Sequence, residues 1–383
     1  MRAVLRALSP RWGSLWHAAP GVIAAIALAL LARALADALA HGLAGLPKFP
    51  LSPVMCAVVL GMLWRNTLGV PAWASQGLKW AMHQLLRTGI ALVGLRLTLL
   101  GATAIAATAL PVALTCLLFA LAAGTLLARV LRVPPRLGVL LAIGTAVCGA
   151  TAVVAMSPVI RARHAETAFA VTCVVLFGCV AMLFYPWVAG HFFAASPRHA
   201  GIFLGTAIHD TSQVVGAALM YSQQAHQPEA LAAASVAKLL RNLSIAVLIP
   251  LAAWLTQRHE ARTQTAAAGE GESETGAAPA AGLSGHVQLV PLFVFGFIAC
   301  IILRTAGDAL MPAGSGLWQA LIHTGYTASD LFLTCGMTAV GLSVSFTDMW
   351  RIGWRPLAAG FAVATLVGGC SLALTLGMLH FFG

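Results

Sequence analysis

The sequence predicts an all-α, polytopic membrane protein of about ten or eleven transmembrane helices, and three observations carry that reading. The chain of 383 residues is 60% hydrophobic and only 9% charged, with a mean hydropathy of +0.89. A soluble domain carries roughly 25% charged residues, so the solvent of this one is largely lipid. Its apolar residues fall into windows of the length that an α-helix needs to cross hydrocarbon, about 20 residues. Inside one such window lies GTAIHDTSQVVG, Gly205 to Gly216, which puts ionisable groups where they are costly and therefore functional candidates by default.

In chain order the apolar windows are 18–39, 51–66, 79–100, 103–130, 137–158, 166–193, 199–220, 229–256, 287–307, 318–346 and 355–381. The second is short, and the third opens on an amphipathic stretch around Lys79, His83 and Arg87, so interfacial or re-entrant placement stays open for both. Arg2, Arg6 and Arg11 ahead of the first window resemble a signal peptide, but the apolar run continues to Leu39 with no convincing cleavage site and reads as a span. With the N-terminus in the cytoplasm, thirteen basic residues fall inside (Arg2, Arg6, Arg11, Arg65, Lys79, Arg129, Arg132, Arg136, Arg198, Arg258, Arg262, Arg351 and Arg355) and four outside (Lys48, Arg161, Arg163 and Arg304). Topology therefore explains the net charge of +11, and no basic stripe interleaved with aromatics points to nucleic acid.

A hydrophilic stretch from Gln257 to His286, with Glu260, Glu270, Glu272 and Glu274 among Ala, Gly, Thr and Ser, has the composition of a flexible linker. It divides the chain into an N-terminal membrane segment (1–256, spans one to eight), a cytoplasmic loop (257–286) and a C-terminal membrane segment (287–383, spans nine to eleven). The eight cysteines lie inside apolar runs without CxxC spacing and read as small packing residues. With no HExxH either, no metal and no cofactor is expected.

The candidate site begins with a pair of related segments. GTAVCGATAVVA, from Gly144 to Ala155, matches GTAIHDTSQVVG at five of twelve positions. Gly144 and Gly205 open the two copies in mid-span, where a small residue permits close helix contact or a helix break. A break presents unpaired N–H groups and partial positive charge at the membrane midplane, which suits an anion. Asp210 and Asp330 are the acidic residues well within predicted spans, against Lys238, Arg241, Arg87 and Arg96. Lys238 and Arg241 are three apart in KLLRN, so their heads converge on one site. Each feature has a plainer reading: a buried pair that only fixes packing for His209 and Asp210, snorkelling or pairing with Asp210 for Lys238 and Arg241, and unbroken packed helices for the glycines. A further pair, GIALVGLRLTL from Gly89 and GMTAVGLSVSF from Gly336, shares four of eleven residues at an offset of 247 and falls in oppositely oriented spans, the relation of an inverted repeat.

GIALVGLRLTL, GTAVCGATAVVAMSPVI, GTAIHDTSQVVGA and VAKLLRNL, in this order and spacing, resemble the YeiH family of bacterial inner-membrane proteins, described as candidate sulfate exporters. The resemblance runs from about residue 20 to the C-terminus. It implies ten or eleven helices in inverted repeats, with discontinuous helices crossing near mid-membrane, and a link to sulfonate metabolism. The same motif in relatives is expected to carry glutamate beside the histidine, where this chain has Asp210.

The expectation is a multi-pass secondary transporter of the bacterial inner membrane that moves a small inorganic or organosulfur anion, with a homodimer as candidate assembly. Gly144, Thr145, Cys148, Gly149, Thr151, Gly205, Thr206, Thr211, Ser212 and Gln213 would line the site. Lys238 and Arg241 would supply charge, and His209 and Asp210 would couple transport to protons. Sodium bound by exposed carbonyls and Asp210 is the competing coupling ion. A passive anion channel is the alternative, and an intramembrane enzyme built on Cys148 and His209 lacks an activating third group.

Overall fold

The computed structural model describes residues 12–42, 52–252, 292–311, 315–345 and 354–382, which are helical with short connections and, among those residues, contain no strand. The linker at 257–286 and Arg2, Arg6 and Arg11 lie outside the described residues. Within the described residues each apolar window of the sequence coincides with helix: α1 (Trp12–Gly42), α2 (Pro53–Thr67), α3 (Ala72–Trp80), α4 (Leu86–Val93), α5 (Leu99–Val130), α6 (Pro135–Ala146), α7 (Ala150–Met156), α8 (His164–Phe192), α9 (Pro197–Ala207), α10 (Thr211–Ala225), α11 (Glu229–Leu243), α12 (Leu292–Leu310), α13 (Gly316–Ser343) and α14 (Trp354–Phe382). After a turn at Ser244, helix continues from α11 to residue 252. Among the described residues six helical stretches, one of them passing the turn at Ser244, are long and apolar enough to cross a membrane. The chain is thus an all-α, polytopic membrane protein.

The starts and breaks follow local chemistry. Ser52 caps α2 by accepting from Met55 N at 3.2 Å, with Pro53 in the first turn, where its missing N–H costs nothing. The third window is one path bent in two places. A π-helical turn, Ala81–Leu85, joins α3 to α4. A 3₁₀ turn, Gly94–Arg96, then gives way to extended backbone at Leu97, and Thr98 caps α5 through Gly101 N at 3.2 Å. π-Helical turns are uncommon and often mark functional positions.

The long helices face outward. Leu30, Leu118, Phe184, Phe295 and Phe361 are exposed large apolar side chains, an arrangement that lipid, unlike water, tolerates. The short helices α9, α10 and α11 are the buried centre: residues 200–209, 213–222 and 230–239 are buried. Two seams set helix spacing. On α9, a Cβ at Gly201 would strike Ala230 O, and one at Gly205 would lie 2.6 Å from Ala234 O and 2.8 Å from Ala237 Cβ, so these glycines, four apart, seat α9 directly on the α11 backbone. Between α4 and α13, a Cβ at Gly89 would meet the Leu333 side chain at 2.8 Å, and a Cβ at Gly336 would meet Leu86 Cβ at 2.9 Å. The two contacts are reciprocal, because Gly336 and Leu333 stand 247 positions after Gly89 and Leu86.

The seam yields a controlled comparison. Gly205→Ala is expected to lower the thermal stability of the purified protein, since its methyl has no room against α11. Gly190→Ala on α8, with nothing within 4 Å of its Cβ, should be neutral or stabilising by up to about 1 kcal/mol, because alanine is the better helix former. Thermal unfolding in detergent checks both.

Candidate functional site

Two helices stop and restart in the middle of the molecule, and their gaps meet. The first gap, Val147 to Gly149, separates α6 from α7, and the second, Ile208 to Asp210, separates α9 from α10. Each falls three residues beyond the glycine at which a break is expected from the sequence. Gly144 and Gly205 remain helical and serve as contact points, Gly144 against Val153 and Val174 and Gly205 against α11. The gap residues carry the irregular backbone. Gly149 has φ +67° and ψ −130°, which L side chains rarely adopt, and a Cβ there would lie 2.9 Å from Asp210 Oδ2 and 3.2 Å from its Cα.

A helix that ends inside a membrane leaves carbonyls with no water to accept from, and they must be satisfied by protein. Here α11 supplies the donors. Lys238 Nζ donates to Val147 O at 2.8 Å, to Ile208 O at 3.1 Å and to His209 O in a shorter contact. Arg241 donates from Nε to Ala146 O at 3.0 Å, from Nη1 to Thr206 O at 2.5 Å, and from Nη2 to Thr145 O at 2.7 Å and Ala146 O at 2.5 Å. Both side chains are buried, Lys238 with no exposure and Arg241 at 1%. Each cation bridges both gaps, so one turn of α11 ties the C-terminal ends of α6 and α9 together. The convergence expected from KLLRN is present, with these donors directed at backbone rather than at open space.

The N-terminal ends carry the opposite charge. Asp210 caps α10, accepting from Ser212 N at 2.9 Å and from the Ser212 hydroxyl. Its other oxygen faces Gly149 at the head of α7. A carboxylate in this position is favoured by the helix dipole. His209 is 1% exposed, and neither ring nitrogen makes a hydrogen bond of ordinary geometry, the Thr145 backbone being the polar group beside it.

The remaining predicted residues divide by what they touch. Thr206 is fully buried and its hydroxyl pairs with Ser371 of α14 at 2.7 Å while donating to Ile202 O. Thr211 accepts from Asn242 Nδ2 at 3.1 Å, and Cys148 is buried in the first gap. Gln213 turns into α8, where Nε2 donates to Val175 O at 2.8 Å, the approach made possible by Gly178; its Oε1 is buried without a partner. Thr151 is exposed, and Asp210, Thr211 and Ser212 are half-buried, so these line the more open side of the crossing. Asp330 sits elsewhere, 2.7 Å from Arg96, whose guanidinium lies over the Tyr326 ring at 4.9 Å.

Some participants were not picked out from the sequence. Ser371 and Asn242 are ordinary polar residues in apolar helices, and only the position of Asn242 directly after Arg241 marks it. His83, exposed on the π-helical turn, is an electrostatic neighbour of Asp210, and the turn itself leaves no sequence signature. Among the described residues no group of three or more His, Cys, Asp or Glu side chains is placed to hold a metal ion.

Fold and site together define a polytopic membrane protein built around two discontinuous helices whose gaps meet. The chain belongs to the family described as conserved hypothetical protein 698, which matches residues 20–360 and agrees with the YeiH resemblance of its motifs. Similar proteins include a UPF0324 membrane protein of Ralstonia nicotianae, 34% identical over 94% of this chain and 93% of that one. A UPF0324 membrane protein of Pseudomonas putida is 31% identical over 87% of both chains, and one of Bordetella bronchiseptica is 32% identical over 85% of this chain and 95% of its own. No solved structure matches.

Gly149→Ala tests the geometry of the crossing. Its methyl meets both a backbone conformation closed to L residues and the Asp210 carboxylate, so a loss of about 3 kcal/mol or more is expected, read as a drop in the thermal midpoint.

Proposed function

We propose that the protein is a secondary transporter that carries a small oxyanion of the sulfate, sulfite or organosulfonate type across the bacterial inner membrane, with Asp210 and His209 as the proton-coupling groups. The observation that carries this reading is the meeting of two helix gaps around buried Lys238 and Arg241, with Asp210 at the edge of the same crossing. Two cations beside one carboxylate give the crossing a net attraction for an anion. The cations act through their field, since their donors are engaged by carbonyls. Direct donors to the solute would be the hydroxyls and N–H groups at the open side, at Thr151, Thr211 and Ser212.

In this scheme Asp210 is a resident anion that competes with the solute. While ionised it occupies Ser212 N and repels an incoming oxyanion. Once protonated it releases that repulsion, so solute and proton bind together. His209, one residue earlier in the same gap and buried without a full hydrogen-bond complement, is assigned as the relay. Alternating access would come from relative movement of halves related as an inverted repeat, and the reciprocal Gly89–Leu333 and Gly336–Leu86 contacts support that relation.

Saturable counterflow of labelled sulfate or sulfite in proteoliposomes separates a carrier from a channel. Uptake by the wild type is expected to rise as the outer face is acidified, since each oxyanion enters together with a proton. Asp210→Asn and His209→Gln should flatten that dependence, with Asp210→Asn retaining exchange at constant pH. An unchanged pH profile in both variants contradicts the coupling, and absence of counterflow with every anion of the class contradicts the transport reading.

A further inference from the structure

We propose that Lys238 is the permanent, tethered occupant of a cation site formed by the two helix gaps, so that this protein needs no diffusible sodium ion at its crossing. The assignment of the site stands on geometry alone, and its consequence for coupling rests on the transport reading above. Val147 O comes from the end of α6, and Ile208 O and His209 O come from the end of α9, yet all of them accept from the single Lys238 Nζ. Three carbonyls converging on one fully buried point from two interrupted helices form the kind of oxygen cage that half-helix C-terminal ends offer to sodium in coupled transporters. In this chain the cage is filled from within by an ammonium on a neighbouring helix.

Three more of the freed carbonyls are bound in the same way. Arg241 takes Thr145 O, Ala146 O and Thr206 O, from the same two helix ends. Seating of α9 on α11 at Gly201 and Gly205 sets the distance over which both side chains reach. A cation that is part of the chain neither leaves nor returns during a cycle. It therefore holds the crossing positive without drawing on a sodium gradient, since only a ligand that binds and dissociates can couple its gradient to another. The competing expectation of sodium at exposed carbonyls and Asp210 loses its carbonyl ligands to Lys238.

Removing the ammonium should convert the filled site into an empty one that accepts small cations. The test is thermal stability of the purified full chain in sodium, methylammonium, n-propylammonium or N-methyl-D-glucamine chloride at matched ionic strength. Wild type and Lys238→Arg are expected to melt at the same temperature in all four salts. Lys238→Ala should melt lower than wild type in N-methyl-D-glucamine and regain about 3 °C or more in sodium or n-propylammonium, because a ligand that binds only the folded state raises its stability. Stabilisation of the wild type by sodium over N-methyl-D-glucamine would overturn the proposal, and so would a Lys238→Ala protein as stable as wild type or indifferent to every small cation. If Lys238→Ala does not fold, the wild-type comparison decides alone. None of these measurements reads transport, so a protein that moves no oxyanion leaves their outcome intact.

Discussion

Freed helix carbonyls bound by two buried cations are the constraint around which this molecule is organised. Breaking a helix inside hydrocarbon exposes peptide groups whose desolvation, if unanswered, costs several kcal/mol each. Lys238 and Arg241 answer for Thr145, Ala146, Val147, Thr206, Ile208 and His209. The cost also runs in the other direction, since an ammonium and a guanidinium without exposed surface are tolerable only with this many acceptors. Gaps and cations therefore require one another. The small-residue seam between α9 and α11 allows them to meet, because a bulkier surface would hold Arg241 and Lys238 out of reach.

The polarity of the crossing follows from that arrangement. Cations occupy the C-terminal ends of α6 and α9, and a carboxylate occupies the N-terminal end of α10, each placed as the helix dipoles prefer. Gly149 is where the two gaps touch, with backbone dihedrals that only a residue without Cβ adopts comfortably and a surface pressed to Asp210. A charge change at Asp210 is thus felt by both helices at once. Charged groups and irregular backbone thus fall within the same few residues, which is where the proposed transport would need them.

Much of this was legible in the sequence, and what was not has definite physical causes. The apolar windows became helix, because about twenty apolar residues in lipid have no other way to satisfy their backbone. Discontinuity near GTAVCG and GTAIHD was legible from glycines and polar residues in mid-span. Its placement was not: Gly144 and Gly205 sit at packing contacts and the backbone opens three residues later. The convergence of Lys238 and Arg241 followed from helical spacing, whereas their targets are main-chain oxygens, which every residue carries and no pattern reveals. The π-helical turn at 81–85, which places His83 near Asp210, depends on how α3 and α4 meet their neighbours rather than on its own residues.

The central claim is tested most directly by a distance. Lys238 is one of only three lysines, with Lys48 and Lys79, so nitrogen-15 in lysine side chains and carbon-13 in the carbonyls of valine, isoleucine or histidine give a readable solid-state NMR experiment on the protein in a lipid bilayer. Dephasing that reports a lysine nitrogen within about 4 Å of carbonyl carbons of each residue type, as hydrogen bonds to Val147, Ile208 and His209 require, is the predicted result. Lysine nitrogens with no carbonyl of these residues within that range would contradict the account.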